Sequence, residues 1–522
     1  MKHSIFILLC LTVLMCTNAF PQQTIKRQRK AGGNRNDFFT CMYLTKDNGV
    51  IVGGSSNSNS SCEKTQNNRD TINDTYPNFP TYDYWIIKYD SLGKKQWDKT
   101  IGGNNEDRLI ALQQTSDGGY ILGGSSRSGK SGEKTQNSRG FNDYWVVKTD
   151  SRGKVQWNRT VGGNDADELA SLQQTNDGGY ILSGNSRSAI SGEKTTASIG
   201  TWLVKLDKDG KIQWDKVIPG SGDYIQKTKD GGYVLAGVKL TKLDSMGNIE
   251  WSKVVADGDG IYDDNPNKYN GEFDYVEQTF DDGYILGGTV MSFEGKHYWV
   301  VKTDSVGNSI WERTFGTGID EYDILTSLQQ TRDHGYILGG YTDYPLDLAK
   351  YNIDYWIIKI DKMGNLEWDK IIGGIYDDEC MSIKEISKNH YLVGGRSNSP
   401  ISGDVTAEGC SGNDVNDDYW LFKLDYKQPE DVEITSWQTE HIIAGAQISN
   451  SQFTIYPNPA KAVLHVQISG TALLSLTDIT GKVLLTKTIT NSGSINVSSL
   501  QAGMYYLRNS ATGETRKIMV SH

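Results

Sequence analysis

The chain has 522 residues, with 53 Lys+Arg against 64 Asp+Glu, a formal net charge of -11 and 37% hydrophobic residues. An acidic, aromatic-rich chain with no basic face is a poor partner for nucleic acid, and cations, sugars or proteins fit it better. After the first twenty residues no apolar run approaches the about 18 that a membrane-crossing helix needs, so no transmembrane segment is expected in the mature chain.

The N-terminus shows Lys2, an apolar run from Ile5 to Met15 and a small-residue exit at Thr17-Asn18-Ala19. This is the form of a signal peptide over residues 1–19, cleaved after Ala19, and it predicts a secreted or outer-membrane surface protein. Cys16 follows Met15 rather than a small residue, which disfavours a lipoprotein signal. Cys41, Cys62, Cys380 and Cys410 then remain in a compartment where disulfides persist. Three pairings are open; Cys41 with Cys62 and Cys380 with Cys410 are favoured, and Cys62 with Cys410 is the alternative that would bridge the ends of the repeat region. Without CxxC spacing or paired histidines, a metal site on these cysteines is disfavoured.

Residues 24–427 carry a unit of about sixty residues that recurs along the chain, the pattern of stacked or ring-forming supersecondary units. In the unit after Gly103 its four runs are LIALQQT, GYILGGS, DYWVVKTD and KVQWNRTV, here strands a to d, rich in β-branched and aromatic residues. Asp117-Gly118-Gly119 turns a into b and Asp150-Ser151-Arg152-Gly153 turns c into d, so each unit reads as an antiparallel meander. The end of strand b recurs seven times, from Gly53-Gly54 to Gly394-Gly395, and the aspartate closing strand c seven times, from Asp90 to Asp425. Together they predict an all-β fold, a seven-bladed β-propeller of four-stranded blades. The strand-d tryptophan occurs six times, from Trp97 to Trp368, and the last unit lacks it. Lys30-Ala31-Gly32-Gly33 aligns with Thr100-Ile101-Gly102-Gly103, which predicts that the N-terminal segment supplies the missing strand, with Arg27 at the tryptophan position. The Tyr-led apolar run ending in Gly-Gly, followed by a Trp strand, resembles kelch-type repeats, and KTDSRGKVQW resembles the tryptophan-docking repeats of quinoprotein-type propellers. Both resemblances imply a fold and neither implies an active site.

The tight a–b and c–d turns fall on one face of such a disc and the longer b–c and d–a connections on the other, where a site is to be sought. The d–a connections are acidic, at Glu106-Asp107, Asp165, Asp167-Glu168, Asp320-Glu321 and Asp377-Asp378-Glu379, and their recurrence favours a role in the turn over a ring of ligands. The b–c motif Glu63-Lys64-Thr65, repeated at Glu133-Lys134-Thr135 and Glu193-Lys194-Thr195, suggests a shared loop conformation. Tyrosine-tryptophan pairs from Tyr84-Trp85 to Tyr419-Trp420 read as packing between blades.

The fourth unit breaks the symmetry: it runs from AGV into KLTKLD with no b–c loop and is followed by ADGDGIYDDNPNKYNGEFD. Asp257, Asp259, Asp263, Asp264, Glu272 and Asp274 are the candidate ligand-binding residues. Asp257, Asp259, Asp263 and Asn265 are the oxygens suited to calcium, without EF-hand spacing. A solvated acidic loop is the favoured reading and a bound cation the alternative. No catalytic residue is assigned, because His334 and His390 fall in a–b turns and no histidine-based triad or zinc site assembles with His297. A binding module for a glycan or protein is expected, with a glycosidase or lyase using these carboxylates, or a structural surface protein, as alternatives.

Residues 428–450 read as a linker and residues 451–522 as short alternating strands with turns at Asn458-Pro459, Gly481 and Gly503, a small Ig-like β-sandwich. Tyr456-Pro457-Asn458-Pro459, Asp478 to Gly481, Gly503 with Tyr505, and Lys517 strongly resemble the type A C-terminal sorting domain of the type IX secretion system of Bacteroidetes. The resemblance implies passage across the outer membrane, with the secretion machinery as a partner.

Overall fold

The computed structural model describes residues 22–69, 81–197, 200–219, 222–255, 270–292, 295–317, 321–343, 352–410, 416–427, 454–456, 462–477, 482–501, 503–509 and 515–520. None of these is helical, and the chain divides into two compact units, residues 1–433 and 434–522.

In the first unit the repeat's turn chemistry sets the strand ends. In blade 2, strand a (Asp107–Gln114) turns into b (Tyr120–Ser126) through Gly118 at φ +84°, and c (Asp143–Thr149) into d (Val155–Val161) through Gly153 at φ +75°, a conformation glycine takes without strain. The same meander forms at residues 37–101, 107–161, 167–218, 224–253, 270–315, 321–372 and 378–427, and the last set is completed from the N-terminus. Each strand a packs against strand a of the sets before and after it, the seventh against the first. The a strands are therefore the inner circle of a closed seven-bladed propeller.

Close approach of the blades explains the repeated residues. A Cβ on Gly123 would lie 2.6 Å from Leu169 and 2.8 Å from Leu172 of the next blade, and one on Gly124 would lie 1.9 Å from the Arg108 carbonyl oxygen. The Gly-Gly ending strand b is thus a packing requirement. The strand-c tyrosines are buried and reach one blade onward: Tyr84 donates to the Trp145 carbonyl at 3.0 Å, Tyr144 to Trp202 at 3.2 Å, Tyr298 to Trp356 at 3.0 Å and Tyr419 to Trp85 at 3.1 Å. Trp97 of strand d meets Tyr120 of the next blade edge-on, with ring centroids 5.8 Å apart. At the turn end the buried Lys148 ammonium lies 2.9 Å from Asp117, and the pair recurs as Lys88 with Asp47, Lys205 with Asp177, Lys242 with Asp230, Lys302 with Asp281 and Lys359 with Asp333.

The ring closes where Gln22–Ala31 pairs antiparallel with Asp418–Lys427 as strand d of blade 7. The register breaks between Lys26 and Arg29, so Lys26 faces Lys423 and Arg27 sits in the bulge at φ +50°. That corrects the simple alignment of Arg27 with the tryptophan, because an extra residue occupies this place. Gln28 assumes the part of Asp98: its Oε1 accepts the Trp420 indole N–H at 3.2 Å, as Asp98 accepts that of Trp85 at 3.1 Å.

The disulfide joins Cys62 to Cys410 across the seam, with Cα atoms 5.8 Å apart, and Cys41 and Cys380 are free thiols. The favoured pairings of Cys41 with Cys62 and Cys380 with Cys410 are overturned. Cys41 and Cys380 belong to inner strands, Asp37–Leu44 and Asp378–Ser387, whereas Cys62 and Cys410 lie in b–c loops that meet at the seam. Cys62 stands at φ +52°, where Gly132, Gly192 and Gly403 stand in other blades at +53°, +57° and +52°. The loop keeps its shape although a side chain now occupies a glycine's conformation.

In the second unit Thr454–Tyr456, Val463–Thr477, Val483–Asn496, Gly503–Asn509 and Thr515–Val520 form one hydrogen-bonded sheet. A register break between Gln467 and Thr471 lets Val463–Thr477 pair with Thr454–Tyr456 before the break and with Gly503–Asn509 after it. Leu464, Val466, Leu474, Leu507 and Ile518 then share one core, so the sheet folds over on itself, with Tyr505 buried in that core. Pro457, Asn458, Pro459, Asp478 and Gly481 lie outside the described residues.

Candidate ligand-binding face

Most carboxylates that the repeat brings to the loop end belong to the scaffold. Asp107, Asp167 and Asp378 are fully buried and accept the backbone N–H of Gly103, Gly163 and Gly374, each at 2.7 Å. Each also accepts a hydroxyl from the b–c loop, Ser128, Ser188 and Ser399 respectively, at 2.9 Å. The Glu-Lys-Thr loops clasp one another: Glu133 takes Arg69 of the preceding loop at 3.0 Å and Glu193 takes Arg139 at 2.5 Å, while Lys64, Lys134 and Lys194 are buried. Recurrence here marks a shared loop conformation.

The break in symmetry gathers a different set. Blade 4 is built of short strands, Tyr224–Lys227, Tyr233–Ala236, Leu240–Leu243 and Ile249–Lys253. Asp223 precedes its inner strand at the place of Ile110 and Ala170, the bulged residues of blades 2 and 3. Asp274 is the bulged residue of blade 5, between Phe273 and Tyr275. Although the residue is exposed, desolvation by the surrounding protein and then Glu272 push its carboxyl up to about 6. Asp223 is raised by burial and by Glu272 and Glu168, against a hydrogen bond from Thr201. Glu272 thus acts on the carboxyls of both blade 4 and blade 5, and Glu168 of blade 3 on that of blade 4.

Two of these, Glu272 and Asp274, are sequence candidates, but they sit on the inner strand Asn270–Gln278 rather than in the connection before it. Asp257, Asp259, Asp263, Asp264 and Asn265 lie outside the described residues. Among the described residues no three His, Cys, Asp or Glu side chains are grouped to hold a metal ion. Glu168 belonged to the acidic connections already noted; Asp223 carried no signal beyond a carboxylate standing where its neighbours have Ile110 and Ala170.

Sequence reasoning also missed the Gln-Gln doublets. Gln113, Gln173, Gln226, Glu277 and Gln329 each accept an N–H from the inner strand of the following blade, at 2.7 to 2.9 Å, forming a collar around the ring. Glu277 replaces an amide in that collar; burial raises it, and Lys384, itself lowered by burial, partly offsets the shift.

Residues 454–521 match the secretion system C-terminal sorting domain. The chain thus carries a type IX sorting tail beside its propeller, which marks it as an exported module, secreted or at the cell surface. A 129-residue stretch is 27% identical to the regulatory protein FlaEY of Caulobacter vibrioides, covering 24% of this chain and only 14% of that protein. Among solved structures, the Pan2 WD40 domain of Neurospora crassa is similar at a TM-score of 0.41 and 8% identity, over 75% of this chain and 89% of that one. The PQQ-bound aldose sugar dehydrogenase of Streptomyces coelicolor is similar at 0.34 and 10% identity, over 78% and 99%. Sqt1 of Chaetomium thermophilum is similar at 0.39 and 11% identity, over 71% and 83%. Likenesses at these scores carry no argument about ligands, and the propeller rests on its own strand pairing.

Proposed function

We propose that this chain is an exported β-propeller binding module, released from the cytoplasm by a signal peptide over residues 1–19 and carried onward by its sorting tail, that holds a hydroxyl-rich or cationic ligand over blades 3 to 5. The observation that supports this reading is that Glu272 raises both Asp223 and Asp274, and Glu168 raises Asp223, where the ring departs from its symmetry; positions equivalent to Asp223 and Asp274 are Ile110, Ala170 and Met381 in three other blades. Carboxylates not committed to loop geometry suit sugar hydroxyls and hard cations.

The test is a glycan array probed with the full chain, with calcium and with chelator. Binding that is lost in Asp223→Asn and Asp274→Asn while the melting temperature holds supports the reading. Calcium dependence would bring in Asp257, Asp259, Asp263 and Asn265. A negative in both buffers with folded protein rejects the glycan reading and turns the search to surface proteins. A second reading, glycoside cleavage, draws on Asp274 held at about 6, a carboxyl suited to act as a general acid, with Glu272 on the same inner strand as the second carboxylate. Turnover on a polysaccharide panel, abolished by Glu272→Gln or Asp274→Asn, is the result that would favour it.

A further inference from the structure

At four blade junctions two aspartates meet, and each has an oxygen without a donor. A residue at the start of strand c in one blade lies against the first residue of strand a in the next: Asp83 with Asp107, Asp143 with Asp167, Asp354 with Asp378 and, across the seam, Asp418 with Asp37. All eight are at most 6% exposed. Oδ2 of Asp37, Asp143 and Asp418 accepts a backbone N–H, from Gly33, Arg139 and Cys410. Oδ1 of all eight is buried with no hydrogen-bond partner. At two of the junctions both carboxyls crowd the same glycine: a Cβ on Gly373 would lie 1.8 Å from Asp354 Oδ1 and 3.1 Å from Asp378 Oδ2, and one on Gly32 would lie 1.7 Å from Asp418 Oδ1 and 3.0 Å from Asp37 Oδ2; at the other two, a Cβ on Gly102 or Gly162 would lie 1.9 Å from Asp83 Oδ1 or 2.0 Å from Asp143 Oδ1.

The charges around these pairs do not balance if every carboxyl is ionised. Lys30 acts on Asp378 and Asp418, Lys64 on Asp37 and Asp83, Lys134 on Asp107 and Asp143, and Lys194 on Asp167, all four lysines being buried. Arg69 and Arg139 also reach this layer but are paired with Glu133 and Glu193. The other charged neighbours are acids: Asp417 beside Asp418, Asp377 and Asp404 beside Asp354, Asp98 beside Lys64 and Asp215 beside Lys194. The hydroxyls of Ser56, Ser126 and Ser397 act to lower Asp37, Asp107 and Asp378, against the larger effect of burial. Eight carboxyls thus face four lysines in a layer where an unpaired charge is expensive. One junction brings its own donor. His297 stands where the strand-c aspartate stands elsewhere, with Nδ1 3.5 Å from Oδ2 of Asp323, the counterpart of Asp167.

We propose that one proton is shared between the two aspartates at each of these four junctions, so that the ring is drawn together in mild acid and loosened as the four protons leave. An O–H from one carboxyl to the other gives a partner to the bare Oδ1 of the strand-c aspartate, and four protons with four lysines neutralise eight carboxyls. Burial first, then the facing aspartate, holds Asp143 up at about 6 and Asp354 and Asp418 at about 7. An unfolded aspartate titrates near 3.9. Between that value and about 7 the folded ring keeps protons that the unfolded chain has lost, so stability is fully present below the window and falls as pH rises through it.

The experiment is infrared spectroscopy of the full chain from pH 4 to 8, with melts in parallel. The expected result is a protonated-carboxyl band at pH 5 that is gone by pH 8, while the melting temperature falls. Asp143→Asn substitutes an amide N–H for one proton; it should remove about a quarter of the band and flatten the folding equilibrium by about tenfold per pH unit. His297→Asp should add a fifth proton to the band. If neither variant folds, the wild-type band decides. Absence of the band at pH 5, or a melt that does not fall between pH 4 and 7, overturns the proposal. So does a chelator-sensitive melt at neutral pH with a cation retained through dialysis, which would place a metal ion between the carboxyls.

Discussion

In blades 1 to 3 the two ends join aspartate to buried lysine with opposite electrostatic results. At the turn end Asp47, Asp117, Asp177 and Asp230 sit at about 2: burial raises them, but a threonine hydroxyl, a glycine N–H and the strand-c lysine together outweigh it. At the loop end burial wins, pushing Asp37, Asp107 and Asp378 up to about 6 and Asp354 and Asp418 to about 7. The lysine is common to both ends. What differs is burial: the turn-end carboxylates stay more than half exposed, whereas Asp37, Asp107 and Asp378 are fully enclosed, so desolvation outweighs a comparable set of donors.

The largest expected effect comes from breaking the ring. Removing residues 24 to 33 takes away strand d of blade 7 and Lys30, and should lower the melting temperature more than any point substitution; an unchanged melt by calorimetry would remove the closure. Lys134→Met strips the buried cation from between Asp107 and Asp143, and should destabilise by about 3–5 kcal/mol in denaturant titration. The corresponding turn-end change, Lys148→Met, should cost only about 1–2 kcal/mol, because the Asp117 side chain is 57% exposed and rehydrates. Equal losses from these two variants would erase the distinction between the ends.

The smallest signal per residue, and the sharpest in sign, is the pH profile. Turn-end aspartates, depressed below the unfolded range near 3.9, contribute stability that is present above that range and lost as pH falls toward about 2. Loop-end aspartates, raised above it, contribute stability that is present below that range and lost as pH rises through about 6 to 7. Melts should therefore decline on both sides of about pH 4, and a curve that is flat from 4 to 7 would contradict the loop-end reading.

Much of the fold was legible because the repeat is written in local chemistry. Gly118 and Gly153 mark hairpins through the φ they supply, and the Tyr-led runs mark strands as short, almost wholly buried apolar stretches bounded by turns. The candidate site was half legible: Glu272 and Asp274 stood out as acids in an expanded segment, yet their place on an inner strand depends on a bulge at Phe273 and Tyr275 that composition does not announce. Asp223 and the Gln-Gln collar were silent for a related reason, since their partners lie in neighbouring blades.

By itself the sequence determined the number of blades, the sense of each turn and the sorting tail, because those follow from residues within a few positions of one another. Only the tertiary structure decided that Cys62 bonds Cys410, 348 residues away, that an extra residue rather than a substituted tryptophan fills the seam, and which aspartates keep their charge. Those outcomes depend on which groups meet across a junction and how much water remains between them, and a linear pattern carries neither.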